Sequence, residues 1–350
     1  MISTAFTILI LSALVFLLLK KYNFKKYKFE ASRDVYFDSI EDKHSIEYIK
    51  QYVTNNNLES CYLIHGTFVG DDPLLLFQLL DKLNLPFINS LTKKFRKVIL
   101  SGGERINKDI GNFTSFHKKI LNQILPTQLF HWDSGNNHNS RVKASFKLLK
   151  NLSNSNEKSI LIISHSHGGQ VCALLTQLIY STEFRKKIQY LYPGFNYEKD
   201  EIKKLRKMNI TFITLGMPPR YKFVINNKIK LIQVINHRRS DYFSGKLNGI
   251  INTKDGDYIQ KIGVEGSDFT TKNILNQKLD NILDRGQDLE KLKKNINRKY
   301  RFDAQGKILL IDLKDNSSYP NFLLTLFGHG SYTKKEIFLP LLEKAFKYLS

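Results

Sequence analysis

Short apolar runs alternate along the chain with segments whose apolar residues recur at helical spacing. The runs at 60–64, 128–132, 159–164, 210–215, 230–235 and 307–313 are typical of buried strands. Helical patterns cover residues 74–83, 141–152, 170–180 and 333–348. Strands that alternate with helices indicate a mostly parallel sheet flanked by helices on both faces. We therefore expect an α/β fold, formed by one domain over residues 58–350.

An uncharged apolar stretch opens the sequence. Residues 2–19 are mostly Ile, Leu, Val, Phe and Ala, and lysines follow at positions 20, 21, 25, 26 and 28. A stretch of this length can cross a bilayer as a helix. No charged side chain precedes it and no run of small residues ends it. The pattern therefore favours an uncleaved transmembrane anchor over residues 1–20 rather than a cleaved signal peptide.

The lysine cluster predicts how this anchor is oriented. The positive-inside rule puts the lysines, and the globular part after them, on the cytoplasmic side of a single-pass membrane protein. The same lysines can attract anionic membrane lipids. We expect residues 21–57 to form a basic juxtamembrane segment that leads into the domain.

Two long segments interrupt the alternation of strands and helices. They are residues 182–209 and residues 245–301, and the second is charged, with a helical pattern over 273–298. Insertions of this length are typical of caps or lids over a site, or of surfaces that bind a partner. Both segments are therefore candidate caps.

The strand predicted at 159–164 runs through Ser166 directly into a helical pattern. A strand that turns abruptly into a helix presents the side chain at its apex, in a strained backbone conformation. The residues two before and two after the serine must be small, because strand and helix pass close together there; Ser164 and Gly168 meet this need. The start of the helix also favours a developing negative charge.

This stretch resembles the nucleophile elbow of the α/β-hydrolases, Gly-x-Ser-x-Gly, with Ser164 in place of the first glycine. The resemblance implies an α/β-hydrolase fold and Ser166 as the nucleophile. It extends over roughly residues 58–350, although the specific motifs occupy a small part of that range.

The run at 60–64 ends in His65-Gly66-Thr67-Phe68, which resembles the His-Gly segment that shapes the oxyanion hole of the family. The resemblance implies that the backbone N–H of Thr67 or Phe68, together with that of His167, stabilises the tetrahedral intermediate. His65 and Gly66 are then expected to contact the substrate.

The resemblance also implies a general base and an acid. His329 stands between glycines, after the last strand and before the last helix, where the family has its base. Asp241 follows the strand at 230–235 after a short turn, where the family has its acid, with Asp255 and Asp257 as further candidates. The order Ser166, Asp241, His329 is the order of the α/β-hydrolase triad.

Two aromatic side chains are expected to shape the walls of the site. His165 precedes the nucleophile, and its side chain should diverge from that of the serine. Trp132 ends the strand predicted at 128–132, and a polar loop follows it. This loop lies at the carboxyl ends of the strands, where sites form in open α/β folds. Both are candidate substrate-binding residues.

Composition narrows the classes of ligand. The net charge of +22 favours contact with anionic lipids or nucleic acid, but no aromatic-basic recognition motif supports nucleic-acid binding, so no nucleic-acid partner is expected. Cys61 and Cys172 lie in apolar runs and are expected to be buried free thiols. Because no His, Cys or Asp spacing resembles a metal site, no metal or other cofactor is expected.

The implied activity is serine-dependent hydrolysis of a carboxylic ester. The predicted anchor and the basic surface favour a lipid or acyl substrate, as for a lipase, phospholipase or esterase acting at a membrane. Two alternatives stay open: an inactive α/β-hydrolase scaffold that binds a lipid or protein partner at the membrane, and a serine peptidase or thioesterase on the same fold. The sequence leaves the oligomeric state open.

Overall fold

The described residues build a seven-stranded sheet in which all neighbouring strands are parallel. The computed structural model describes residues 35–39, 46–66, 113–218, 220–236, 257, 260, 274–283, 305–313 and 329–350. The strands are β1 (Val35–Ser39), β2 (Ser60–Ile64), β3 (Thr127–Phe130), β4 (Ser159–His165), β5 (Asn209–Leu215), β6 (Ile229–Asn236) and β7 (Lys307–Asp312). They lie in the order β1-β7-β6-β5-β4-β2-β3. The predicted parallel α/β architecture is confirmed.

Helices connect and flank these strands. They are α1 (Ile46–Asn55), α2 (Ser115–Leu121), α3 (His138–Asn154), α4 (His167–Tyr180), α5 (Thr182–Leu191), α6 (Lys199–Lys207), α7 (Ile274–Leu283) and α8 (Lys335–Leu349). A 3-10 turn, His329–Thr333, precedes α8. The predicted strand bounds differ from the observed ones by at most two residues at either end. The helical pattern at 170–180 begins three residues after the first residue of α4, because the two glycines in the first turn are poor helix formers.

The core lies on both faces of the sheet. Side chains point alternately to opposite faces of a strand, so Ile160 and Ile162 of β4 pack with α3 and α4. Leu161 and Ile163 of the same strand pack on the other face with α1 and α8. Since parallel strands are buried on both faces, their sequences are continuously apolar. Cys61 and Cys172 are free and buried, as predicted.

The sheet begins ahead of the predicted domain boundary at residue 58. β1 pairs with β7 at one edge, and Asp38 of β1 accepts hydrogen bonds from Lys344 and Tyr348 of α8. α1 buries Ile49 and Tyr52 in the same core as α8. The segment from residue 35 onward therefore belongs to the domain, and its short, partly polar strand gave no apolar run that could predict it.

Residues 182–209 form α5 and α6, which extend the helix layer. Phe184, Ile188 and Leu205 join the core cluster that contains α3 and α4. α5 starts immediately after α4, at the end of that helix farthest from Ser166. That this segment caps the site or binds a partner stays a prediction.

The second candidate cap is described only in part. Within 245–301 the structure describes residues 257 and 260 and helix α7, whose Leu279 and Leu283 join the core cluster of α3. The helix predicted at 74–83 and the anchor predicted at 1–20 lie outside the described residues. In the part of the chain that is described, no helix has the length and apolar character needed to cross a membrane.

Candidate active site

Ser166 occupies the turn between β4 and α4 in a strained conformation, with φ 53° and ψ −130°. A residue other than glycine adopts positive φ at a cost of about 1–3 kcal/mol. The backbone N–H of Ser166 donates to the carbonyl oxygen of Leu215, at the end of β5, at 2.9 Å. The side chain makes no capping hydrogen bond to α4. The hydroxyl group is therefore held at the helix start without being committed to the helix.

The end of β2 lies directly against this turn. A Cβ atom on Gly66 would lie 2.6 Å from Cβ of Ser166 and 3.2 Å from its Oγ. A Cβ atom on Gly168 would lie 2.7 Å from the carbonyl oxygens of both Ile64 and His65. Glycine at these two positions permits the approach of β2 to α4. The need for a small residue two positions after Ser166, inferred from the sequence, is confirmed by this contact.

His329 and Asp257 form a buried pair. Nδ1 of His329 donates to Oδ2 of Asp257 at 2.7 Å, with side chains 3% and 0% exposed. Because Nδ1 carries a proton in this bond, Nε2 is the basic nitrogen of the neutral ring. Nε2 is buried and has no hydrogen-bond partner among the described residues. The imidazole is thus oriented by the carboxylate, with its basic nitrogen left available.

His165 and His167, the two neighbours of Ser166, both interact with His329. Nε2 of His165 donates to the backbone carbonyl oxygen of His329 at 2.9 Å, and the two rings are 4.7 Å apart. Burial, followed by the charge of His329, lowers the pKa of His165 to about 3. Burial, followed by the charges of Arg141 and His329, holds the pKa of His167 well below its usual range. Both neighbours are therefore neutral, and His165 positions the backbone of His329.

Several hydrogen bonds hold the carboxylate of Asp257. The Tyr332 hydroxyl donates to Oδ2 of Asp257 at 2.9 Å and accepts from the backbone N–H of Asn236 at 2.7 Å. The N–H of Asp257 in turn donates to the carbonyl oxygen of Asn236 at 2.9 Å. Oδ1 of Asp257 accepts from the N–H of Gln260 at 2.8 Å. Hydrogen bonds to the charged form stabilise an ionised carboxylate, and here they also fix its position at the end of β6.

His65 joins the end of β2 to the loop after β3. The indole N–H of Trp132 donates to the carbonyl oxygen of His65 at 2.9 Å, and the two rings stack with centroids 5.8 Å apart. Nδ1 of His65 lies 2.9 Å from the carbonyl oxygen of Gly66 and 3.2 Å from Oγ of Ser134. Burial lowers the pKa of His65 to about 4. These contacts assign Trp132 and His65 a role in fixing the Gly66 backbone beside Ser166.

The remaining predicted site residues lie outside the described part of the chain. Thr67 and Phe68, the candidate oxyanion donors, follow Gly66, the last described residue after β2, and Asp241 follows β6. Of the two further acids, Asp255 is also outside it, whereas Asp257 contacts His329. The third candidate donor, His167, is the first residue of α4, where backbone N–H groups have no partner within the helix.

The sequence did not single out Tyr332 or Asn236. Tyr332 lies three residues after His329 on the same 3-10 turn, but Asn236 is distant from both in the sequence. The signal that exists is weak: a tyrosine close to a glycine-flanked histidine. Contacts between residues this far apart in the sequence leave no local pattern.

The described atoms combine three chemical groups: a serine hydroxyl at a helix start, an imidazole with an available basic nitrogen, and a carboxylate behind that imidazole. This set can transfer protons and carry out nucleophilic attack. Within the described residues, no group of three or more His, Cys, Asp or Glu side chains is arranged to hold a metal ion. No protein-family model matches the sequence, and no curated protein matches it.

Proposed function

We propose that this chain is a serine hydrolase of the α/β-hydrolase kind that cleaves a carboxylic ester. One observation carries the proposal: the residue before a strained serine at a strand-to-helix turn is hydrogen-bonded to the backbone of a histidine whose Nδ1 is bonded to a buried carboxylate. Ser166, Asp257 and His329 also follow the chain order of the α/β-hydrolase triad. In this proposal Asp257 takes the role for which Asp241 was the first candidate.

The mechanism assigns one proton path to His329. Its Nε2 accepts the proton of the Ser166 hydroxyl as Oγ attacks the ester carbonyl carbon. When the tetrahedral intermediate collapses, Nε2 returns the proton to the leaving alkoxide, and an acyl-serine remains. Nε2 then accepts a proton from water as the water oxygen attacks the acyl carbon. The bond from that carbon to Oγ breaks, Nε2 returns the proton to Oγ, and the carboxylic acid leaves. Asp257 stabilises the imidazolium formed in both steps.

The negative charge of the intermediate needs donors fixed in advance. The backbone N–H of His167, at the start of α4, and an N–H after Gly66 are the proposed donors. Support comes from the close approach of Gly66 to Ser166 and from the contacts that hold Gly66 through His65 and Trp132. His65 is thus a positioning residue for the oxyanion hole.

The proposal places the reaction at a membrane surface. Its support is the sequence alone: an apolar stretch at 2–19 with lysines directly after it. We expect the full-length chain to remain in the membrane fraction after extraction with alkaline carbonate. Release of the chain into the supernatant would overturn the proposed membrane anchor. It would leave the proposed ester hydrolysis at Ser166 unaffected.

A fluorophosphonate probe tests the nucleophile. The probe phosphonylates an activated serine, so the full-length chain should be labelled, whereas Ser166→Ala should not. Ser145→Ala is a matched control, because Ser145 is a buried serine whose hydroxyl donates within the helix layer to the carbonyl oxygens of Arg141 and Val171. A folded parent that stays unlabelled would favour the alternative of an inactive scaffold that binds a lipid or protein partner.

A further inference from the structure

A second cluster of polar side chains is buried one helical turn beyond the nucleophile. Gln170 of α4 accepts a 2.7 Å hydrogen bond at Oε1 from Nη1 of Arg141, which is fully buried on α3. The amide of Gln170 donates to the carbonyl oxygen of Pro218 in the loop after β5. Because a helix rises about 1.5 Å per residue, Gln170 lies about 6 Å along the helix axis from Ser166. The guanidinium of Arg141 is therefore tied to α4 one helical turn after Ser166, and its charge acts on the imidazole of His167.

A second buried arginine enters the same cluster from the loop after β5. Nη2 of Arg220 lies 3.3 Å from Nε2 of His138, and Nδ1 of His138 is hydrogen-bonded to the hydroxyl of Tyr221. The guanidinium of Arg141 lies 5.5 Å from the centroid of the Tyr221 ring. Two positive groups from different elements thus converge on one tyrosine.

The donors among these contacts determine whether the Tyr221 hydroxyl accepts or donates in its hydrogen bond to His138. Arginine can only donate, so Nε2 of His138 accepts from Arg220, and the proton of the neutral ring is on Nδ1. Nδ1–H therefore donates to the oxygen of Tyr221, and the hydroxyl hydrogen of Tyr221 can be donated to another oxygen atom. Burial raises the pKa of Tyr221, but the charges of Arg141 and Arg220 and the hydrogen bond from His138 outweigh it and lower the pKa below its usual value.

We propose that Arg141, Arg220 and Tyr221 bind an anionic group of the phosphate type that the ester substrate carries. Planar guanidinium groups match the geometry of phosphate oxygens and bind them through paired hydrogen bonds. A tyrosine hydroxyl adds a further donor to the same ligand. The proposal rests on the proposed hydrolase function of Ser166, and it names the substrate class: an acyl ester with a phosphate a few bonds from the scissile carbonyl.

Binding can be measured without chemistry in the full-length Ser166→Ala chain. Calorimetry would compare hexyl phosphate, hexanol and inorganic phosphate. We expect hexyl phosphate to bind at least about tenfold more tightly than the other two, a ratio typical of one charged contact. When either Arg220→Gln or Tyr221→Phe is added to the Ser166→Ala chain, the binding of hexyl phosphate should become weaker. Arg206→Gln is the matched control, because Arg206 of α6 donates to the carbonyl oxygen of Ile179, away from this cluster.

Three binding results would overturn the proposal. The first is equal affinity for hexyl phosphate and hexanol, and the second is unchanged affinity in both folded variants. The third is inorganic phosphate binding as tightly as hexyl phosphate, because the cluster would then take the free ion rather than a substrate. Tyr221→Phe keeps the test decisive if Arg220→Gln does not fold.

Hydrolysis separates this proposal from the proposed function. 1-Octanoylglycerol 3-phosphate and 1-octanoylglycerol share one ester and differ in the phosphate. The unmodified chain should cleave the phosphate ester with a kcat/KM about tenfold higher or more. Equal cleavage of both would overturn the anion site and leave the hydrolase. Cleavage of neither, with hexyl phosphate still bound through Arg220, would overturn the hydrolase and leave the anion site.

Discussion

The hydroxyl group of Tyr332 donates a 2.9 Å hydrogen bond to Oδ2 of Asp257, the oxygen that also accepts from Nδ1 of His329 at 2.7 Å. The same hydroxyl accepts from the backbone N–H of Asn236 at the end of β6. Tyr332 therefore connects the sheet to the carboxylate that orients the histidine. It acts on the proposed reaction through Asp257, as a positioning residue.

Replacing Tyr332 by phenylalanine should slow acyl transfer about tenfold, because a hydrogen bond to a charged group is lost and Oδ2 of Asp257 becomes less fixed. The effect should appear in kcat rather than KM, since the hydroxyl contacts Asp257 rather than the substrate. Steady-state hydrolysis of a nitrophenyl ester measures both parameters.

Tyr348→Phe is the matched control for that variant. Its hydroxyl donates to Oδ2 of Asp38 at 3.0 Å, a comparable contact at the far end of α8. Kcat should be unchanged in Tyr348→Phe. An equal loss in both variants would mean that Tyr332 contributes to stability only.

The identity of the acid can be decided between two aspartates. Asp257→Asn keeps the shape of the side chain but removes the charge that stabilises the imidazolium, and the loss in kcat should be about a thousandfold or more. Asp241→Asn should change kcat less than about threefold, which is well under the effect of losing one hydrogen bond to a charged group. If Asp241→Asn gave the larger loss, the pairing of Asp257 with His329 would not be the catalytic one.

Local patterns predicted the sheet and singled out two of the three residues of the proposed triad. The run through β4 into Ser166, and the glycines on both sides of His329, are signals within a few neighbouring residues. Asp257 was only a secondary candidate, because residues 237–256 separate it from β6, and a sequence does not show where such a segment returns. The Tyr332–Asn236 contact and the arginine cluster join residues that share no local pattern, so only the fold brings them together.

Gly66→Ala should abolish labelling by a fluorophosphonate probe. The added methyl group would lie 2.6 Å from Cβ of Ser166, so β2 or the nucleophile turn must shift, and small displacements of reacting groups cost large factors in rate. Gly194→Ala is the control, because a Cβ atom there has no neighbour within 4 Å. Normal labelling of a folded Gly66→Ala chain would contradict the close packing of β2 on Ser166.

Strain at Ser166 predicts an unusual order of stability. Glycine adopts the φ of 53° found at Ser166 without the steric cost that alanine has. Ser166→Gly should therefore be about 1 kcal/mol more stable than Ser166→Ala in urea unfolding, although glycine normally destabilises a chain. Both variants lack the hydroxyl, so the comparison isolates the backbone. The reverse order of stability would show that Ser166 is not strained.

His117 makes the stability of the fold depend on pH. Its Nε2 donates to the carbonyl oxygen of Thr333 at 2.8 Å, and its Nδ1 accepts from the N–H of Thr114 at 3.0 Å. Burial lowers the pKa of His117 from 6.5 to about 4. Between these values the unfolded chain binds a proton that the folded chain does not bind. The free energy of unfolding therefore falls as the pH falls through this window.

His117→Gln should remove the contribution of His117 to this dependence while it keeps one donor and one acceptor. Between pH 7 and pH 5 the parent should lose about 2 kcal/mol more stability in urea unfolding than the variant does. His131→Gln, at an exposed histidine, should behave like the parent. Parallel losses in the parent and in His117→Gln would mean that the His117 side chain takes up its proton in the folded state, and that its bond to Thr114 breaks without unfolding the chain.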